Sequence, residues 1–206
     1  MSAAAEAGEA GIDLLRIARA FDFPRPEFWE QVEGRAVGEL IEPAEAKQPG
    51  GAGHVIPRRT QAEREDEYQD AFDIDGTPLY EGFHRGAEGR EGILEDVMRF
   101  YAFFDLRLSE NQRDYPDHLV TELEFLAFLA MQEANAGAQG KDHRPFQRAQ
   151  RDFIARHLGI WLPSLKRRVA ERCPASSVYS GLAAALHEFV QSRHQWLEKE
   201  LEGGMS

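Results

Sequence analysis

This sequence predicts an all-α fold, and three observations predict it. Apolar residues recur at i, i+3, i+4 and i+7 in one stretch after another. No alternating period-2 segment bounded by hairpin turns interrupts them, and no glycine-rich phosphate loop follows a strand pattern. The first periodic stretch, residues 12–21, sets Ile12, Leu14, Leu15, Ile17, Ala18 and Phe21 at helical spacing. Asp22-Phe23-Pro24-Arg25-Pro26 breaks it, and Phe28, Trp29 and Val32 begin a second, short helix. Pro-Gly-Gly-Ala-Gly punctuation and sparse apolar content follow, so residues 43–60 are read as a flexible loop.

Residues 63–75 hold seven carboxylates against Arg64, with Tyr68 and Phe72 at i, i+4, and suggest a short helix with one apolar edge. From 93 to 108, Ile93, Val97, Met98, Tyr101, Phe104 and Leu108 give a helix with a wide buried face. The clearest helix spans 115–135, with Pro116 suited to its first turn and Gly137 just past its end. Leu119, Leu123, Leu126 and Ala130 form one stripe, which Phe125, Phe128 and Leu129 widen, so this helix is expected at the centre. Residues 145–158 form another helix closed by Gly159, with Ile160-Trp161-Leu162-Pro163 as a link to a helix through Leu165 and Val169. The last helix covers about 177–201. The expected whole is a single-domain helical bundle over residues 1–206.

Composition narrows the function classes. The 206 residues carry 24 Lys+Arg against 36 Asp+Glu, a net charge of −12, which argues against nucleic acid and anionic lipid as partners. No run of about 18 apolar residues is present, so no membrane span is expected. Met1 to Ala10 lack the basic and apolar regions of a signal peptide, and Arg58-Arg59 is not followed by an apolar stretch. A cytoplasmic location is expected. The one cysteine excludes an intrachain disulfide and any multi-cysteine metal site made by this chain alone.

The densest polar constellation is Pro116-Asp117-His118 with Glu122. His118 and Glu122 are i, i+4 on one helix face, and Asp117 sits at the positive end of the helix dipole. Three readings stay open at this point. The residues could be a cap and a solvated surface pair, or metal ligands in a helical metal-dependent hydrolase using Asp117, His118 and Glu122. Alternatively, Asp117 and His118 could lie at the lip of a groove and hydrogen-bond a partner. His187 and His194 lie on the last helix, His84 and His143 in loops, and His157 at a helix end. Cys173 has no resolving cysteine, and no Gly-x-Ser-x-Gly elbow occurs, so the chain is read as not an enzyme.

Four segments carry a more specific resemblance. Asp114-x-Pro116-Asp117-His118-Leu119 with Glu122-Leu123-Glu124-Phe125 resembles the signature helix of the TorD/DmsD/NarJ family of molybdoenzyme chaperones. Pro78-Leu79-Tyr80-Glu81, Phe100-Tyr101-x-x-Phe104-x-Leu106 and His157-Leu158-x-x-Trp161-x-Pro163 resemble three further family motifs, in order and spacing. The subgroup most resembled serves type II enzymes such as the dimethyl sulfide, selenate and chlorate enzymes. The chain departs at Asp114, at Gly82 where the family has serine, and at Asp105 where it has glycine; aspartate tolerates the left-handed conformation better than most residues.

The resemblance implies a cytoplasmic assembly chaperone of TorD-like fold. Its partner would be the catalytic subunit of a DMSO reductase family molybdoenzyme, bound through its twin-arginine leader before molybdenum cofactor insertion and export. It implies a leader site at Asp117 and His118, with Pro116, Tyr80, Glu81 and Glu122 nearby. No cofactor is expected to be bound stably; a transient contact with molybdopterin guanine dinucleotide or guanine nucleotide belongs to the same expectation. Monomer and dimer both remain open.

Overall fold

The widest buried face of the chain decides its architecture. The computed structural model describes residues 3–40, 54–73, 76–86, 90–108 and 115–203. In order these form α1 (Ala3–Phe21), α2 (Pro26–Val32), a 3-10 turn (Val37–Leu40), α3 (Gln61–Phe72), α4 (Glu81–His84) and α5 (Arg90–Phe103), then α6 (Leu119–Ala138), α7 (Arg144–Arg156), α8 (Leu158–Arg172) and α9 (Val178–Gly203). The fold is all-α. Extended backbone pairs among the described residues only as isolated bridges, Ala36 with Val55 and Tyr80 with His118. No helix among these residues is long and apolar enough to cross a membrane.

Helix α6 is central, as its apolar circumference predicts: Leu119, Leu123, Leu126, Ala127, Leu129 and Ala130 are fully buried. It packs along α1 and against α7, while α9 packs on α7 and α8. Tyr179 of α9 gathers Phe21, Trp29, Tyr68 and Phe72 at ring centroid distances of 4.8–6.4 Å. A second aromatic cluster joins α5, α6 and α7 through Phe100, Tyr101, Phe125 and Phe153.

Several boundaries differ from the sequence expectation. Helix α1 starts well before residue 12, because Ala4, Gly8 and Gly11 pack against Gly137, Ala134 and Met131 of α6. Small residues let the helix backbones approach without any large apolar side chain to mark the face. Helix α5 stops at Phe103 because Asp105 adopts φ 55° and Leu106 N returns to Tyr101 O at 3.0 Å. The 160–163 link is instead helical and belongs to α8. The break is the single residue His157 (φ −124°, ψ −95°), and it fits because Gly159 sits where a Cβ would come 2.7 Å from the Ile154 carbonyl oxygen.

Of the expected 43–60 loop, 43–53 lie outside the described residues, as does Asp114. The segment 54–60 is pinned: Val37 N donates to His54 O (2.7 Å), Gly34 N to Ile56 O (2.9 Å) and Ile56 N to Arg35 O (2.8 Å). Ile56 is fully buried, and Thr60 with Glu63 forms a capping box that starts α3.

Candidate functional site

Four segments distant in sequence meet around the first turn of α6. Glu81 N donates to Asp117 O at 2.9 Å, and Leu119 N donates to Leu79 O at 2.8 Å. The Tyr101 hydroxyl donates to the Pro116 carbonyl at 2.9 Å. Trp161 Nε1 donates to Glu122 Oε2 at 3.0 Å, and His157 Nδ1 lies 2.9 Å from Glu81 Oε2. Residues from all four motifs therefore close one joint, and Pro116, Asp117, His118, Tyr80, Glu81 and Glu122 are brought together in it.

Most of this joint is buried. Asp117, Glu81 and Glu122 are 0 % exposed, and His118 is 7 % exposed. Helix α6 begins at Leu119 with His118 as its N-cap, so Pro116 and Asp117 lie in the turn before it. The His118 Nδ1 accepts from Val120 N at 3.3 Å, and its ring stands edge-on to Tyr80 at 4.9 Å. His118 and Glu122 are thus not a solvated i, i+4 pair: one caps the helix, and the other turns inward to Trp161.

Asp117 Oδ2 accepts from Gly82 N at 3.1 Å, and Oδ1 faces Arg90 Nη2 at 3.5 Å. Asp117, His118 and Glu122 therefore direct their polar atoms to separate partners and do not share one open point, as a hydrolytic metal centre would need.

The electrostatics of the carboxyl pair are asymmetric. Burial, then the charge of Glu81, pushes the Glu122 carboxyl well above the usual range. Burial also opposes the charge on Glu81, but the His157 hydrogen bond and the Arg85 contact (2.6 Å) outweigh it and hold its pKa below the ordinary value. His157 presents Nε2 to Asp96 at 3.2 Å, and Asp96 pairs with Arg156 at 2.5 Å. Arg90, Asp96 and the role of His157 were not foreseen. The signal for His157 and Trp161 was their own motif, whose partners, Glu81 and Glu122, are the acids of two of the other three.

His84 lies beside Trp161 (5.1 Å between ring centroids), with Nε2 2.8 Å from Pro78 O and Nδ1 3.3 Å from Ser164 Oγ. Burial pushes its pKa down, opposed by the Pro78 contact.

Two surface depressions lie outside this joint. A groove of about 530 Å³ runs between α5 and α7 over Phe100, Phe103, Phe104 and Ala149, rimmed by Arg99 and Arg148. Phe103 stands 81 % exposed in it. The acidic stretch lines a second depression through Glu63, Asp66, Glu67 and Asp70, where Arg59 and Arg172 also contribute. Part of that acidity is used internally: Glu67 accepts from Ser177 Oγ (2.8 Å) and pairs with Arg59 (3.1 Å), and Asp73 pairs with Arg172 (2.9 Å). Asp75 lies outside the described residues.

A family model described as nitrate reductase delta subunit matches residues 40–167. The selenate reductase assembly chaperone protein of Thauera selenatis is 40% identical over 190 residues, covering 90% of this chain and 88% of the relative. The chlorate reductase assembly chaperone protein of Ideonella dechloratans is 38% identical over 187 residues, 89% of this chain and 86% of the relative. The dimethyl sulfide dehydrogenase assembly chaperone protein of Rhodovulum sulfidophilum is 32% identical over 203 residues, 89% and 80%. These relatives are named as chaperones and not as catalysts, and their enzymes are of the kinds that the type II resemblance implies. With its four motifs gathered in one joint and its match spanning most of its length, the chain belongs to the nitrate reductase delta subunit family, the NarJ/TorD-type chaperones.

Proposed function

We propose that the protein is a cytoplasmic assembly chaperone for the catalytic subunit of a DMSO reductase family molybdoenzyme. It holds the subunit's twin-arginine leader until molybdenum cofactor has been inserted and export can proceed. The observation that carries this reading is chemical: at the motif joint, the buried carboxylate of Asp117 faces a guanidinium ringed by Tyr80, Phe83 and Tyr115. An arginine needs a carboxylate for its charge and aromatic faces for its plane, and this site offers both.

The apolar part of a leader needs a different surface. The α5–α7 groove supplies exposed aromatic area near the far end of α5, roughly 15 Å along the helix from Arg90 at 1.5 Å per residue. The acidic depression on α3 adds a field that steers basic segments toward the protein and weakens with salt.

Titration with a synthetic leader from the host's molybdoenzyme tests the reading. Replacing its two arginines by lysines is expected to weaken binding about tenfold, since lysine keeps the charge and loses the planar contact. Equal affinities would overturn the leader site. A tagged copy drawn from the host should also bring down a molybdopterin subunit that still carries its leader; recovery of general chaperones alone would count against the whole assignment.

A further inference from the structure

Arg90, the first residue of α5, is held as a ligand would be held. Its guanidinium lies 4.3 Å from the Tyr115 ring centroid and 5.5 Å from those of Tyr80 and Phe83. Yet its contact with Asp117 is long. A charge-assisted nitrogen–oxygen bond closes to about 2.7–2.9 Å, whereas Arg90 Nη2 stops 3.5 Å from Asp117 Oδ1. Both Asp117 Oδ1 and Arg90 Nε are buried without a hydrogen bond. A fully buried carboxylate oxygen is thus aimed at a guanidinium that does not complete the pair.

The surroundings are open on one side. Tyr115 is 54 % exposed, Phe83 45 % and the Arg90 side chain 35 %. The arginine's stem lies over Gly82, where a Cβ would come 2.8 Å from Arg90 Cγ and 3.2 Å from Asp117 Oδ2. The stem therefore fills the room that a side chain at position 82 would take.

We infer that Arg90 is an internal substitute for a partner's arginine. The Asp117 pocket, walled by Tyr80, Phe83 and Tyr115, is a guanidinium site that the free protein fills with its own side chain. A client arginine enters by displacing Arg90 outward into solvent. The identity of that client rests on the leader reading, but the guanidinium chemistry does not. Displacement makes the competent site a minor state, and apparent affinity is reduced by the fraction that is open. Such competition favours arginine over lysine, because only a planar group that stacks and pairs together repeats what Arg90 supplies. It also returns the pocket to its own arginine when the client leaves.

The experiment uses the full chain as wild type, Arg90→Ala and Arg90→Ala/Asp117→Asn, with Arg90→Gln as a version that keeps the stem. Arg-Arg and Lys-Lys dipeptide amides and the synthetic leader are titrated by calorimetry, and helicity is followed by circular dichroism. Arg90→Ala is expected to bind Arg-Arg at least about fivefold more tightly than wild type, by removal of the internal competitor. Lys-Lys should show no such gain, and Asp117→Asn should abolish it. Arg90→Gln should gain in the same direction and decides the matter if the alanine variant does not fold.

A folded Arg90→Ala or Arg90→Gln protein that binds Arg-Arg no better than wild type overturns the inference, since an arginine that only neutralises Asp117 predicts that result. If both proteins bind the leader equally and the dipeptide gain is absent, the leader reading stands and the inference fails. A dipeptide gain with no leader binding to either protein leaves the inference standing and removes the leader reading.

Discussion

Where α6, α7 and α9 meet, Glu133 accepts from Gln147 Nε2 at 2.8 Å, Gln150 Nε2 at 2.8 Å and Arg193 Nη2 at 2.5 Å, and Arg193 also donates to Gln150 Oε1 at 2.9 Å. At the other end of α6, four carboxyls (Glu81, Asp96, Asp117 and Glu122) share Arg85, Arg90, Arg156 and His157. The first cluster is buried throughout, whereas in the second the buried acids Glu81, Asp117 and Glu122 meet arginines that reach solvent, and the stoichiometry differs too. The first sets one acid against one base with two amides as spacers, and its donors meet its acceptors. In the second, Asp117 Oδ1 and Arg90 Nε are left buried without hydrogen bonds, and burial, then the charge of Glu81, raises the pKa of Glu122. A closed network fixes how helices pack. An unevenly matched one holds groups that another guanidinium can satisfy better.

The largest effect expected on this contrast comes from breaking the closed network. Arg193→Ala leaves Glu133 charged and uncompensated, and removes the cation held 4.4 Å from the Trp196 ring. Removing one partner of a buried ion pair costs about 3–5 kcal/mol. Urea unfolding should show a loss of that order, with leader affinity unchanged in the protein that remains folded. A loss of affinity matching the loss of stability would mean that the two clusters are not separable.

Glu81→Gln should act next, and on both quantities. It removes the charged acceptor of His157 and Arg85, a loss of about 1.5–3 kcal/mol for hydrogen bonds to a charged group. It also takes away the charge that helps to raise the Glu122 pKa, so the Glu122 carboxyl should titrate at lower pH than in wild type. Carboxyl infrared spectra across a pH series check the second effect directly; an unmoved Glu122 band would show that burial alone sets its proton.

Glu122→Gln isolates that proton. The folded pKa of Glu122 lies above its unfolded value, so the native state binds the extra proton between the two values. Stability from this group is therefore complete below the unfolded pKa and declines as pH rises toward the folded one, by up to about 1.4 kcal/mol per pH unit. The glutamine variant should match wild type near pH 5 and overtake it as pH rises, with Trp161 still donating to the amide oxygen. Parallel stability curves for the two proteins would mean that Glu122 is ionised in the native state.

How much of this was legible in sequence follows from what each feature leaves in the pattern. Helices α6 and α9 were visible because large apolar residues repeat at helical spacing along them. The first turns of α1 were not, because alanines and glycines that fit a neighbouring helix leave no hydropathy signal. The candidate residues were found by motif, but their burial was not: spacing put His118 and Glu122 on one face, and only the backbone start at Leu119 shows that His118 is a cap. Glu133, Gln147, Gln150 and Arg193 went unnoticed because a buried polar network is defined by contacts between helices. Arg90 was invisible for the same reason. Its partners lie in segments around residues 80 and 117, and Gly82 stood as a departure from the motif until the arginine stem over it gave the glycine a use.

His84 carries the smallest effect and the opposite sign. Burial lowers its folded pKa below the ordinary histidine value of about 6.5, so the unfolded chain binds more protons between the two values. Stability from this group is present above pH 6.5 and is lost as pH falls through the folded pKa. Its slope is opposite in sign to that of Glu122. His84→Asn should therefore change stability by less than about 1 kcal/mol near pH 7.5, an ordinary loss for hydrogen bonds of a neutral side chain, while flattening the acid side of the profile. If the variant keeps the wild-type slope between pH 5 and 6.5, the titrating group there is elsewhere. The contact of His84 with Trp161 would then be packing alone, and the polar joint would depend on pH through its carboxyls only.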